Sequence, residues 1–263
     1  MNILDKIVAY KKEEVKIQQA KVSVEELKQT ESFARKALSL REFLSDETKT
    51  GIIAEFKRKS PSKGVINGNV DVVKVTNAYS VFGASGLSVL TDENFFGGSK
   101  EDLIKARVHN TPVLRKDFMI DEYQFYEAKA IGADVILLIA ACLTPTQVKE
   151  FAALSKELGL EVLLEIHNED ELAHICDDID FVGVNNRNLK TFEVDINTSL
   201  QLFPHIPKVK LAIAESGITD VDTIVMLKKA GFKGFLIGEN FMKEQDPAAA
   251  FENFSKELQQ KTI

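Results

Sequence analysis

The chain has 263 residues, 44% of them hydrophobic and 28% charged, ordinary globular material with enough apolar content for one large core. Its formal net charge of −7 argues against a general nucleic-acid binder, whose affinity would rest on a basic surface neutralising phosphates. No window approaches the roughly 18 apolar residues of a membrane helix, and the N-terminus MNILDKIVAYKKEEVKIQQ is too interrupted by charge for a signal peptide, so a cytoplasmic protein is expected.

In chain order, about 50 residues precede the first apolar run and include a charged amphipathic helix and a Ser23-x-x-Glu26 helix start. Residues 1–50 read as a helical extension packed on a single domain spanning residues 1–263, because no Pro/Gly/Ser linker separates them from the first apolar run. Eight short apolar, β-branched runs then recur: GIIAEFK (51–57), GLSVLT (86–91), PVLRKD (112–117), VILLIA (135–140), EVLLEI (161–166), FVGVNN (181–186), KLAIAES (210–216) and GFLIG (234–238). Helix-period segments such as DEYQFYEAKAIG and TPTQVKEFAALSKELG lie between them. Alternation of this kind feeds a parallel sheet.

The punctuation agrees. Gly83, Gly132, Gly159 and Gly231 each stand shortly before a strand, at separations of 49, 27 and 72 residues, close to multiples of about 25 and hence a supersecondary period. Thr144-Pro145-Thr146-Gln147 has a capping threonine, a proline at the first helical position and a glutamine for a capping box, and Asn168-x-x-Glu171 offers a similar start. Eight units with strands apolar on both faces predict an α/β fold of the closed (β/α)8, or TIM-barrel, type with extra N-terminal helices. An open doubly wound sheet binding a dinucleotide would carry GxGxxG after its first strand, and none is present. Cys142 and Cys176 are too few for a disulfide framework, and His109, His167, His174 and His205 lack zinc spacing. Neither disulfide nor metal is expected.

A barrel's active site lies at the carboxyl ends of its strands. There the first strand presents Glu55 and Lys57, the third Lys116, the fifth Glu165, the sixth Asn185 and Arg187, the seventh Glu215 and Ser216, and the eighth Gly238 and Glu239. Alternation puts Ile53 with Glu55 and Lys57, Leu114 with Lys116 and Phe118, and Leu163 with Glu165, so the charges can point the way their apolar predecessors do. A single charge at a strand end is ordinarily solvated or paired. Several gathered in one mouth would cost desolvation without a use, which favours a site. The loop KRKSPSKG is no P-loop, but Ser60, Lys57 and its turn could hold a phosphate together with Ser216-Gly217 and Gly238-Glu239. Phe96, Phe118 and Leu137 are candidates to line an apolar pocket beside these charges.

The ordered stretches IIAEFKRKSPSKG, SVLTDENFFGGS, PVLRKDFMID, GADVILLIA, LLEIHNEDEL, VGVNNRNLKTFEVD, AESGI and FLIGENFM resemble the indole-3-glycerol phosphate synthase family of tryptophan biosynthesis over nearly the whole barrel. The resemblance implies conversion of 1-(2-carboxyphenylamino)-1-deoxyribulose 5-phosphate to indole-3-glycerol phosphate, carbon dioxide and water, with no metal or cofactor and no obligate protein partner. It also implies roles. Lys116 becomes the general acid at the substrate carbonyl; Glu165 and Lys57 serve the proton transfers that expel water, in an order left open; Glu55, Asn185 and Glu215 orient substrate and lysines. Arg187 would meet the substrate carboxylate, Ser60, Ser216, Gly217, Gly238 and Glu239 the phosphate, and Phe96, Phe118 and Leu137 the aromatic ring. Two alternatives stay open on the residues themselves: a Schiff-base aldolase using Lys116 or Lys57, and a non-catalytic barrel that binds a sugar phosphate.

Overall fold

The structure, a computed structural model, describes residues 3–107 and 109–261; Met1, Asn2, Val108, Thr262 and Ile263 of the expected domain span lie outside the described residues. Eight parallel strands close on themselves: β1 (Ile52–Phe56), β2 (Gly86–Leu90), β3 (Val113–Lys116), β4 (Val135–Ile139), β5 (Glu161–Ile166), β6 (Phe181–Asn185), β7 (Leu211–Glu215) and β8 (Gly234–Ile237). Closure is the pairing of β8 back onto β1, with Ile52 opposite Phe235 and Ala54 opposite Ile237. Each predicted strand is present within one residue at either end.

Before the barrel run α1 (Ile3–Lys21), α2 (Val24–Lys28), α3 (Glu31–Ala34) and α4 (Leu40–Ser45). Between and after the strands come α5 (Val72–Val81), α6 (Lys100–Ala106), α7 (Tyr123–Ala130), α8 (Pro145–Glu157), α9 (Asn197–Leu202), α10 (Val221–Ala230), α11 (Glu239–Met242) and α12 (Pro247–Lys261). The expected capping boxes form at Ser23/Glu26 and Thr144/Gln147, with Pro145 in the first turn. Gly83, Gly132, Gly159 and Gly231 all adopt positive φ, where a side chain would be strained.

After β5 the expected helix start at Asn168 opens only a 3-10 helix, Glu169–His174. The Asn168 side chain caps the Glu171 N–H, but Glu171 turns its carboxylate to the His167 backbone instead of completing a reciprocal box. The basic loop after β1 contains a small hairpin, Lys59–Ser60 against Gly64–Val65.

Strand alternation sorts the core into two layers. Ile53, Leu114, Leu137, Leu163, Phe181, Ile213 and Leu236 fill the barrel, while Ala54, Val89, Ile136, Leu164, Val182 and Ala214 face the surrounding helices. At the amino-terminal end Leu40 and Leu44 of α4 join the interior cluster and close the barrel from below. Gly86 makes room for them: a Cβ there would come 2.8 Å from Leu40 Cδ1. At the opposite end α1 lies against the loops after β2 and β3, pinned by buried Lys11, whose Nζ is 3.0 Å from Asp92 and 2.9 Å from Asp117. The extension therefore spans both ends of the barrel, leaving the carboxyl-terminal mouth open beside α1.

Candidate active site

In β1, β3, β5 and β7 the polar site residue follows its interior apolar residue by two positions: Ile53 then Glu55, Leu114 then Lys116, Leu163 then Glu165, Ile213 then Glu215. The pleat thus carries the barrel's inward face up into the mouth and replaces hydrocarbon with charge at its last layer. Lys116 Nζ lies 2.8 Å from Glu165 Oε2 and 2.9 Å from Glu215 Oε2. Asn185 donates from Nδ2 to Glu165 Oε1 at 3.0 Å, and its Oδ1 accepts the Arg187 N–H at 3.0 Å. Lys57 Nζ is 2.7 Å from Glu55 Oε1, and Ser88 donates to the other Glu55 oxygen.

Two glycines provide the space. A Cβ at Gly183 would collide with Glu215 Oε1, and one at Gly238 would stand 2.7 Å from Glu55 Oε1.

Charge states follow from these contacts. Burial works against the Lys116 ammonium, but the Glu165, Glu215 and Glu55 carboxylates outweigh it and hold its pKa above the ordinary lysine range. Burial also disfavours the Glu165 carboxylate, yet Lys116 and His167 together bring it well below the usual carboxylate value. Glu215 is raised to about 7 by burial and by repulsion from Glu165 and Glu55, which its share of Lys116 offsets only in part. One of its oxygens, Oε1, is buried without a hydrogen-bond partner. The cluster therefore combines a fixed cation, a fixed anion and a carboxyl group that exchanges its proton near neutrality.

Every residue predicted for the site lines one of two adjoining depressions in the mouth. Glu55, Lys57, Ser60, Phe96, Lys116, Phe118, Leu137, Glu165, Asn185, Arg187, Glu215, Ser216 and Glu239 line the first. Gly217 and Gly238 line the second, with Lys63, Asn240 and Lys243. The Phe96 and Phe118 rings meet at 5.9 Å between centroids and form one wall of the first. Arg187 and Glu239 stand on the rim shared by both, 3.5 Å apart, and Lys63 approaches Glu239 from the other side at 3.7 Å. After β7 the chain turns through Ser216 and Gly217, both at positive φ. Of the cations in KRKSPSKG, Lys57 and Lys63 face the mouth; Arg58 pairs instead with Asp102 of α6, and Lys59 donates to the Asn94 carbonyl.

Several lining residues carried no local signal. Ile3, Leu4 and Ile7 of α1 supply apolar wall, and Leu189 and Phe192 reach in from the loop after β6; in the sequence they are merely apolar residues in a helix and a polar loop. The aromatic wall has hidden supports as well. Asp92 accepts the N–H of Phe95 and of Phe96 at 2.7 and 3.1 Å, and Asp117 accepts that of Phe118 at 2.8 Å. His167 is buried between Glu165 and Glu171.

The family model for indole-3-glycerol phosphate synthase matches residues 4–254. A protein of that name from Bacteroides thetaiotaomicron is 46% identical over 98% of this chain and 99% of its own length. Another from Salinibacter ruber is 43% identical over 98% of this chain and 96% of its own. Among solved structures, tryptophan synthase subunit alpha from Legionella pneumophila superposes with a TM-score of 0.62 at 13% identity, over 85% of this chain and 98% of that one. KGPDC from Streptococcus mutans gives 0.61 at 14% identity, over 80% of this chain and 97% of that one; at such identity these two share the fold alone. A family match across nearly the whole described barrel, with relatives of equal length, leads to one conclusion: the chain belongs to the indole-3-glycerol phosphate synthase family.

Proposed function

We propose that the protein closes the indole ring of 1-(2-carboxyphenylamino)-1-deoxyribulose 5-phosphate, releasing carbon dioxide and water to leave indole-3-glycerol phosphate. The observation that carries the reading is the Lys116 ammonium held between Glu165 and Glu215 at the floor of a cavity with an aromatic wall on one side and cations on the other. The ring of the substrate packs against Phe96, Phe118 and Leu137. Its phosphate lies toward Ser60, Ser216 and Gly217, with Gly238 and Glu239 contributing backbone, and Arg187 meets its carboxylate. Anchored at both ends, the flexible chain brings the carbonyl to the ring carbon it must join, an orientation problem that binding energy can solve.

In the condensation, the ring carbon bearing the carboxylate attacks the carbonyl carbon while Lys116 gives the carbonyl oxygen a proton. Carbon dioxide then departs and its bonding electrons restore the aromatic ring. Glu165, held anionic, takes the proton from the neighbouring CH2 carbon, and Lys57 protonates the hydroxyl, which leaves as water. Glu55, Asn185 and Glu215 orient the lysines and the substrate. Glu55 pairs with Lys57 at 2.7 Å and fixes where its amino group stands.

The same reading takes residues 1–50 as the helical extension of a single barrel domain. It takes the enzyme to be cytoplasmic and to work on a small phosphorylated molecule with no obligate protein partner, nucleic acid or membrane. No helix among the described residues is long and apolar enough to cross a membrane. A Schiff-base aldolase needs a neutral amine, and the carboxylates that raise the Lys116 pKa work against one. A phosphate-binding barrel without catalysis has no use for a part-buried Lys116–Glu165 pair. The deciding experiment adds the anthranilate-derived substrate to purified protein and follows indole fluorescence. Lys116→Ala and Glu165→Gln are each expected to lower turnover by about 100-fold or more while circular dichroism is unchanged; normal turnover in either variant refutes its role.

A further inference from the structure

Glu165 is buried, and a buried carboxylate acting as a base takes up a proton too readily unless its charge is compensated. Two of its partners come from strand ends already in the site: Lys116 at 2.8 Å on Oε2 and Asn185 at 3.0 Å on Oε1. Lys116 is shared with Glu215, so it neutralises Glu165 only in part.

The third partner is His167, two residues further along the chain. Its Nε2 is 3.2 Å from Glu165 Oε1 and its Nδ1 is 3.1 Å from Glu171 Oε2, with the side chain 8% exposed. A neutral imidazole has one N–H, so one nitrogen would present a lone pair to a carboxylate oxygen; facing carboxylates on both sides requires a proton on each nitrogen. The Nε2–H is not aimed along a hydrogen bond, so the contact with Glu165 is an ion pair. Glu171 holds the far side firmly: the same oxygen accepts the His167 backbone N–H at 2.7 Å, and the other accepts from Asn168 Nδ2 at 3.0 Å. The 3-10 turn after β5 is therefore a bracket for this imidazole.

We propose that His167, protonated on both ring nitrogens and fixed between Glu165 and Glu171, is a positioning residue that keeps Glu165 anionic and turned toward Lys116. The proposal rests on the functional reading only in giving Glu165 the work of a base. Burial opposes the imidazolium, but Glu165 and Glu171 override it and push the His167 pKa up to about 10. The other titratable group beside this pair is the Cys142 thiol from the end of β4, which burial together with Glu165 and Glu171 raises to about 12, so it stays neutral. Beyond Glu165 stand Lys116, Glu215 and Glu55. His174 is turned away, its ring nitrogens on the Glu171 and Leu143 carbonyls.

With the cation removed, Glu165 binds its proton at higher pH, and the acidic limb of the kcat profile moves with it. In His167→Gln the limb is expected to shift upward by about one pH unit, lowering kcat by up to about tenfold at pH values on the limb and leaving the plateau above it unchanged, with KM within about twofold. Glu171→Gln, which loosens the far side only, is expected to shift it the same way by less. An unmoved limb, a loss equal at every pH, or a change in KM alone overturns the proposal. Imidazole 15N chemical shifts supply a readout independent of turnover. The His167 signal, assigned by its absence from His167→Gln or, if that variant does not fold, from His167→Asn, is expected to report both nitrogens protonated at pH 8. A neutral ring at pH 7 overturns the proposal. Should wild-type protein give no indole, the functional reading fails and the NMR result still decides the state of His167.

Discussion

Lys116 faces three carboxylates, and which of them carries a proton decides the electrostatics of the whole mouth. Glu215 is the one raised to about 7, so between the ordinary carboxylate pKa and 7 the folded protein holds a proton that the unfolded chain releases. Its contribution to stability is present at acid pH and is lost as pH rises from about 4.5 to 7. Glu215→Gln is expected to remove that decline, a difference readable as the wild-type-minus-variant unfolding free energy across pH 4.5 to 8. Gly183 carries a second expectation at this scale. A methyl group there collides with Glu215 Oε1, the far end of a side chain that can swing aside only by leaving Lys116. Gly183→Ala should therefore cost about tenfold or more in turnover with little change in melting temperature; full activity would mean that the Glu215–Lys116 contact is dispensable. Neither effect is legible in FVGVNN, where glycine reads as one more strand residue, because the neighbour that excludes a side chain is 32 positions away.

Among the elements, α1 couples the extension to the site through one residue. Lys11 is buried against Asp92 and Asp117, and these aspartates hold the backbone of Phe96 and Phe118. Lys11→Met leaves buried Asp92 without its cation and Asp117 with Arg115 alone, a loss of about 3–5 kcal/mol. A lower melting temperature together with a higher KM for the aromatic substrate is expected, and an unchanged KM would separate the clamp from the ring pocket. YKKEEVK suggests only a charged helix face, in which Lys11 is indistinguishable from its solvated neighbour Lys12. The capping boxes, by contrast, were legible because both partners lie within four residues. The turn after β5 looks the same locally but runs for six residues as a 3-10 helix, and its Glu171 carboxylate accepts the His167 N–H.

For the whole molecule, closure of the barrel separates its two ends. Leu40 and Leu44 seal the amino-terminal end while the polar cluster occupies the other. Leu40→Ala is accordingly expected to cost about 2–5 kcal/mol through the cavity it leaves, measured by denaturant unfolding, with kcat and KM unchanged at temperatures where the variant is folded. A loss of activity there would show that the ends are mechanically coupled. The sequence by itself determined the strand–helix alternation, the eightfold count and the polar residues at the ends of six of the strands, because period-2 patterning, helix caps and left-handed glycines are short-range properties of a chain. Only the tertiary structure decided which charges meet, which glycines make room for carboxylates, and that α1 and His167 stand at the mouth, because burial and distance between remote residues depend on how the sheet closes.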